Sequence, residues 1–173
     1  MAIWRNLTTN DIEGLMRVAD AIHPGLPESA AVFVERIQLY PEGCLALETE
    51  DGQICGYAIS HPIREHQPPV LDTLLWEISP DADAYYIHDV AILPGLRGRR
   101  LSEEGIGRLF EVAKRSGYPV TCLVSVYGTE RFWARFGFRP ENVGEDLRGK
   151  LRGYGDDAVF LSRSNGQKDT VTQ

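Results

Sequence analysis

The residues best suited to chemistry lie within one run, Tyr85 to Ser102. His88 and Asp89 stand together in an otherwise aromatic and β-branched stretch, and Arg97, Gly98, Arg99 and Arg100 follow after a Pro-Gly pair. A carboxylate in an apolar strand demands a partner: an arginine, a loop to cap, or a proton to move. Successive strand residues face opposite sides, so only one of His88 and Asp89 can point at a common site unless a bulge intervenes. The basic loop runs directly into a segment in which Leu101, Gly105, Ile106, Leu109, Phe110 and Ala113 share one helical face, stopped by Gly117. A helix begun after such a loop presents unpaired backbone N–H groups and the positive end of its dipole. With arginines beside it, that arrangement suits a phosphate, and a diphosphate better than a neutral ligand. Glu103 and Glu104 stabilise the first turn but partly cancel the field.

The elements that must position these residues follow from periodicity. Ile3 to Leu7 is predicted as a first strand, followed by a helix beginning near Thr9 with Ile12, Leu15, Met16 and Ala19 on its apolar face. After Pro24-Gly25 a second helix carries Ala30, Phe33, Val34, Ile37 and Leu39, and both helices read as structural. Cys44 to Glu48 and Ile54 to Ser60 form a hairpin with an Asp51-Gly52 turn. Residues 61 to 84 hold four prolines around Val70, Leu71, Leu74, Leu75 and Trp76. They read as a connection pinned by Leu and Trp side chains, with a flap as the alternative. The central strand, Tyr85 to Leu93, and its helix come next; Pro119 to Val126 is a further strand, and Gly128 to Phe136 a short helix ended at Gly137. Arg139 to Asp157 reads as a glycine-rich loop, Ala158 to Leu161 as the last strand, and Ser162 to Gln173 as a polar, disordered tail.

The strand, basic glycine-containing loop and helix, with the lead-in His88-Asp89-Val90-Ala91-Ile92-Leu93-Pro94, resemble the GNAT superfamily of N-acetyltransferases. Arg97 matches the opening of that family's Arg/Gln-x-x-Gly-x-Gly/Ala signature and Gly98 a favoured second position; the two later glycine positions fall on Arg100 and Ser102. A rival register with Gly105-Ile106-Gly107 as the cradle would leave only a short helix. The resemblance spans nearly the whole chain and is sharpest from Tyr86 to Phe138. It implies one α/β (α+β) domain over residues 1–161, with a central mixed, mostly antiparallel sheet flanked by helices. It also implies acetyl-CoA as co-substrate, held by Val90, Ala91 and Ile92 along its pantetheine arm and by Arg97, Gly98, Arg99, Arg100, Leu101 and Ser102 at its diphosphate.

The implied activity is direct transfer of an acetyl group to a primary amine of a small molecule or peptide through a tetrahedral intermediate. That needs a base for the amine, a backbone N–H for the oxyanion and an acid for the leaving thiolate. Asp89 is the first candidate base and His88 the second. The family's usual acid is a tyrosine in a Phe-Tyr-x-x-x-Gly-Phe sequence, and the matching run Phe132 to Phe138 has Trp133 there, whose indole does not usefully ionise. Tyr127 or Tyr154 could substitute. The alternative is a GNAT-like module that binds acyl-CoA or a protein partner without turnover.

Composition excludes other classes. The net charge of −7 over 173 residues argues against a nucleic-acid binder, and no apolar run approaches membrane-spanning length. Cys44, Cys55 and Cys122 sit at unrelated spacings in apolar stretches and read as reduced, buried thiols; with no signal-like N-terminus, the expected location is cytoplasmic. His23, His61, His66 and His88 have no helical ligand spacing and no accompanying cysteine pairs, so no metal is expected. A Gly-Lys-Ser/Thr phosphate loop is absent. Exposed strand edges or the Trp76 region could support a homodimer.

Overall fold

The computed structural model describes residues 1–98 and 100–166. The chain runs β1 (Ile3–Asn6), α1 (Ile12–Ile22), α2 (Ala30–Leu39), β2 (Cys44–Glu48), β3 (Ile54–Ile63), β4 (Ala84–Ile92), α3 (Leu101–Arg115), β5 (Val120–Ser125), α4 (Glu130–Ala134), β6 (Arg139–Pro140), α5 (Glu145–Arg152) and β7 (Val159–Ser164). These strands form one seven-stranded sheet in the order β1-β2-β3-β4-β5-β7-β6. Every pairing is antiparallel except β4 with β5, the pair joined through α3.

Helices cover both faces of the sheet. On one face α1 and α2 bury Leu15, Val18, Phe33 and Ile37 against Ala46, Tyr57 and Ile59. On the other, α3 lays Ile106 and Leu109 on Trp4, Leu47, Ile87 and Leu123, and Trp133, from the aromatic run, fills the same core. Gly105 lets α3 come close: a Cβ there would lie 2.5 Å from the Trp4 ring. The Trp4 indole donates to Leu101 O at 2.7 Å, fixing the first turn of α3 over the sheet. This packing role removes Gly105 from any phosphate cradle. The three cysteines are free and buried.

The structure corrects three sequence readings. Arg139 to Asp157 is not a loop throughout, because α5 occupies its middle. The near-repeat Leu147-Arg-Gly, Leu151-Arg-Gly has a period of one helical turn and buries both leucines against Tyr86, Cys122 and Phe160. Burying each contributes about 1.5–3 kcal/mol, enough to override the glycine at position 149. The last strand continues to Ser164, with Ser162, Arg163 and Ser164 paired to Cys122, Thr121 and Val120, so the expected tail does not begin at Ser162; residues 167–173 lie outside the described residues.

The third correction concerns the segment between β3 and β4. It is not pinned by Trp76, which is 80% exposed. Its backbone is fastened by polar side chains instead: Tyr154 donates to Pro69 O, Glu28 accepts from Asp72 N, Arg36 donates to Thr73 O, and Glu35 accepts from Leu75 N and Trp76 N. No helix among the described residues is long and apolar enough to cross a membrane.

Candidate active site

β4 and β5 pair only from Tyr85–Thr121 to Ile87–Leu123 and then part, although β4 continues to Ile92. Past Ile87 the edge of β4 that faced β5 is open. Leu93 N donates to Cys55 O, so Leu93 and Ala91 turn their backbone toward β3. By alternation Val90 and Ile92 turn theirs to the open edge, where Ile92 O accepts from Arg97 Nε at 3.2 Å.

The opening continues into a cleft of about 620 Å³ whose walls include Val90, Ile92, Arg97, Arg100, Tyr127 and Arg135. Its floor meets the start of α3, where no side chain caps the helix and the first backbone donor closing on Arg100 O belongs to Glu104. The N–H groups before it are thus available to an anion. Arg100 is the N-cap at φ 60, ψ 10, the left-handed conformation that a glycine would hold without strain, and Gly98 sits at φ 82. Of the two glutamates of the first turn, Glu103 lines the cleft and pairs there with Arg135 at 2.9 Å, and Glu104 pairs with Arg108 at 3.8 Å. With Glu103 offset by Arg135, a cleft residue the sequence did not single out, Arg97 and Arg100 keep the cradle cationic. Arg99 lies outside the described residues.

Where the strands part, β4 is bulged. Ile59 pairs with Asp89 and Ser60 with Ile87, leaving His88 as the extra residue. Both candidate side chains thereby reach the same region, and a cavity of about 40 Å³ touches His88, Asp89, Glu28, Leu71 and Tyr154 together. The His88 Nε2–H donates to Glu28 Oε1 at 2.6 Å, with both side chains almost fully buried. Burial works to raise the Glu28 pKa, but the charge and hydrogen bond of His88 outweigh it and the net shift is downward.

Asp89 has both oxygens engaged: the Tyr57 hydroxyl donates to Oδ2 at 2.5 Å, and His23 Nε2–H donates to Oδ1 at 2.9 Å. The other ring nitrogen of His23, Nδ1, lies 3.1 Å from the Tyr127 hydroxyl, with the two rings stacked at 5.7 Å. Burial pushes the His23 pKa down, but the hydrogen bond and charge of Asp89 prevail and it is raised above 6.5. Tyr127, at φ 57 just past β5, is turned by that left-handed backbone into the cleft and the opening between the strands.

Of the expected site residues, Val90, Ala91, Ile92, Arg97, Gly98, Arg100, Ser102 and Tyr127 line one cleft. Tyr154 is not among them: its hydroxyl donates to Pro69 O at 2.7 Å and burial pushes its pKa up to about 12. His61 is fully buried within β3, where burial lowers its pKa to about 3. His23 and Glu28, from the end of α1 and the α1–α2 connection, are site residues that sequence reading missed, since both helices read as structural. Glu65, His66 and Glu141 place ligand atoms within 4.8 Å of one another at the surface, away from these cavities.

Residues 13–138 match the acetyltransferase (GNAT) family. The chain belongs to that family. No curated protein matches it in sequence. Among solved structures, the loading GNATL domain of CurA from Lyngbya majuscula superposes with a TM-score of 0.76 at 17% identity, covering 95% of this chain and 98% of that one. The GphF GNAT-like decarboxylase in complex with isobutyryl-CoA gives 0.75 at 16%, covering 95% and 100%. The ribosomal-protein-S18-alanine N-acetyltransferase of Escherichia coli gives 0.67 at 14%, covering 100% and 99%. At these identities the likeness shows the GNAT fold.

Proposed function

We propose that this GNAT protein transfers the acetyl group of acetyl-CoA to a primary amine of a small molecule or peptide. The observation that carries the reading is the parting of β4 from β5, which joins the basic cleft at the start of α3 to the cavity beside Asp89. Isobutyryl-CoA in the GphF structure supports a CoA thioester as the donor.

The donor is a substrate, and the residues present fit it. Arg97, Arg100 and the free N–H groups of α3 suit a diphosphate, and Arg135 offsets the charge of Glu103 at the rim. The open edge at Val90 and Ile92 offers backbone hydrogen bonds to an extended amide-bearing arm. The Val90 N–H, aimed into the opening, is placed to receive the charge that develops on the thioester oxygen when the amine attacks. The amine enters from the side of Glu28, His88 and Asp89, two carboxylates that draw a cation, and Asp89 takes its proton through water. Leu71 of the β3–β4 segment lines the 40 Å³ cavity there, which has room for about three waters.

The test is release of free CoA thiol from acetyl-CoA in the presence of short peptides and diamines, with the acceptor's mass followed in parallel. Thiol release coupled to gain of one acetyl group, and lost with Arg97→Ala at subsaturating donor, is the expected outcome. Tight CoA binding with no turnover on any amine would leave a binding module in place of an enzyme.

A further inference from the structure

We propose that Tyr127 is the acid that protonates the leaving CoA thiolate, and that His23, held by Asp89, supplies Tyr127 with its proton. The inference rests on the acyl-transfer reading and adds the proton path that the indole at Trp133 cannot furnish. Three elements converge to build it: the end of α1 contributes His23, β4 beside its bulge contributes Asp89, and the turn after β5 contributes Tyr127. Trp133 is buried in the core, with only 8% of its surface exposed, whereas Tyr127 is 52% exposed and lines the cleft.

The hydrogen-bond order fixes the direction of transfer. Tyr57 and His23 both donate to Asp89, so Asp89 orients the imidazole with Nε2–H toward itself and leaves Nδ1 facing the Tyr127 oxygen. With the ring charged, Nδ1–H donates to that oxygen and the phenol proton is free to point into the cleft. When the tetrahedral carbon reforms its C=O and the C–S bond breaks, the sulfur takes the Tyr127 proton and Tyr127 takes the Nδ1 proton of His23. The imidazole is left neutral, with Nε2–H still on Asp89, and Nδ1 takes up a proton from solvent before the next turnover. An ammonium acceptor gives up two protons on becoming the amide: one balances the proton delivered to sulfur, and the other leaves to solvent, one H+ per turnover.

The groups facing this pair favour the charged ring. Asp89 of β4 and Glu28 of the α1–α2 connection act on His23, and Tyr57 of β3 contacts it through Asp89. Asp20 of α1 borders a further small cavity with His23 and Asp89, Asp157 acts on Tyr127, and the basic groups of the described residues lining the opening with them are Arg97 and His88, the latter held by Glu28. Carboxylates outnumber the guanidinium.

The experiment compares wild type, Tyr127→Phe, His23→Gln and His23→Ala in thiol release from acetyl-CoA with a diamine acceptor, over pH 5.5 to about 9. CoA binding is measured by calorimetry in each, and the His23 ring is titrated by NMR. Tyr127→Phe is expected to lower kcat by roughly 100-fold or more with CoA affinity unchanged. His23→Gln should lower kcat and abolish the fall in rate as pH rises through the His23 titration, and added imidazole should restore part of the activity of His23→Ala. A Tyr127→Phe variant with wild-type kcat, or a descending limb that survives in His23→Gln, would overturn the relay while leaving acetyl transfer intact. Absence of both CoA binding and thiol release in wild type would overturn acetyl transfer and the relay with it.

Discussion

Arg100 stands in a conformation that costs energy, and replacing it separates what its backbone does from what its charge does. At φ 60, ψ 10 it occupies the left-handed region, where an L side chain is disfavoured by about 1–2 kcal/mol. Among the described residues its side chain makes no hydrogen bond or ion pair, so Arg100→Gly removes strain without breaking a contact. Glycine has more freedom to lose on folding, which returns about 0.4–1 kcal/mol. The net gain is about 0.5–1 kcal/mol, or ~1–4 °C in Tm for a chain of this length. Urea unfolding should show a raised midpoint with an unchanged slope. The same variant loses one charge-assisted donor to the diphosphate, worth ~1.5 kcal/mol, so its Kd for CoA should rise roughly tenfold. A more stable protein that binds CoA less well is the expected pair of results. A lower midpoint would refute the strain, and unchanged affinity would remove Arg100 from the cradle.

Gly105→Ala would drive a Cβ to 2.5 Å from the Trp4 ring, and the overpacking is expected to cost about 1–3 kcal/mol in urea unfolding. Leu151→Ala should cost about 2–5 kcal/mol and weaken the protection of α5 amides in hydrogen exchange, since Leu147 and Leu151 are its anchors. The pH dependence of stability has two limbs of opposite sign. Glu28, lowered from 4.5, stabilises the fold above its unfolded value and loses that contribution as pH falls through the lower folded one, so Glu28→Gln should flatten the acid limb. His23, raised from 6.5, contributes fully below 6.5 and loses it as pH rises through its folded value, so His23→Gln should flatten stability across that window.

The strand, basic loop and helix from Tyr85 to Ser102 were legible because they carry three independent signals: an apolar run, a turn pair and a 3.6-residue period. From them the sheet, the cleft and the position of Asp89 follow. The bulge at His88 was legible only as a condition, since a register shift is set by the partner strand and not by the residues it displaces. His23 was invisible for a different reason. It lies at the end of an ordinary amphipathic helix, and only folding brings it beside an aspartate 66 positions later. α5 was hidden by its glycines, although the four-residue spacing of Leu147 and Leu151 was on view and would have revealed a buried helical face. Trp76 misled in the opposite direction, because a large apolar side chain was read as an anchor where the polar side chains Glu28, Glu35 and Arg36 fasten the backbone.

The most direct test of the central claim is calorimetric titration of CoA and acetyl-CoA into wild type and Arg97→Ala. Arg97 lines the cleft, and its Nε–H reaches back to Ile92 O, which leaves the rest of the guanidinium for the diphosphate. Micromolar binding to wild type, weakened about tenfold or more in the variant, is the expected result. Equal affinity in the two proteins, or no binding to wild type, would contradict the assignment of this cleft to the donor and with it the proposed acetyl transfer.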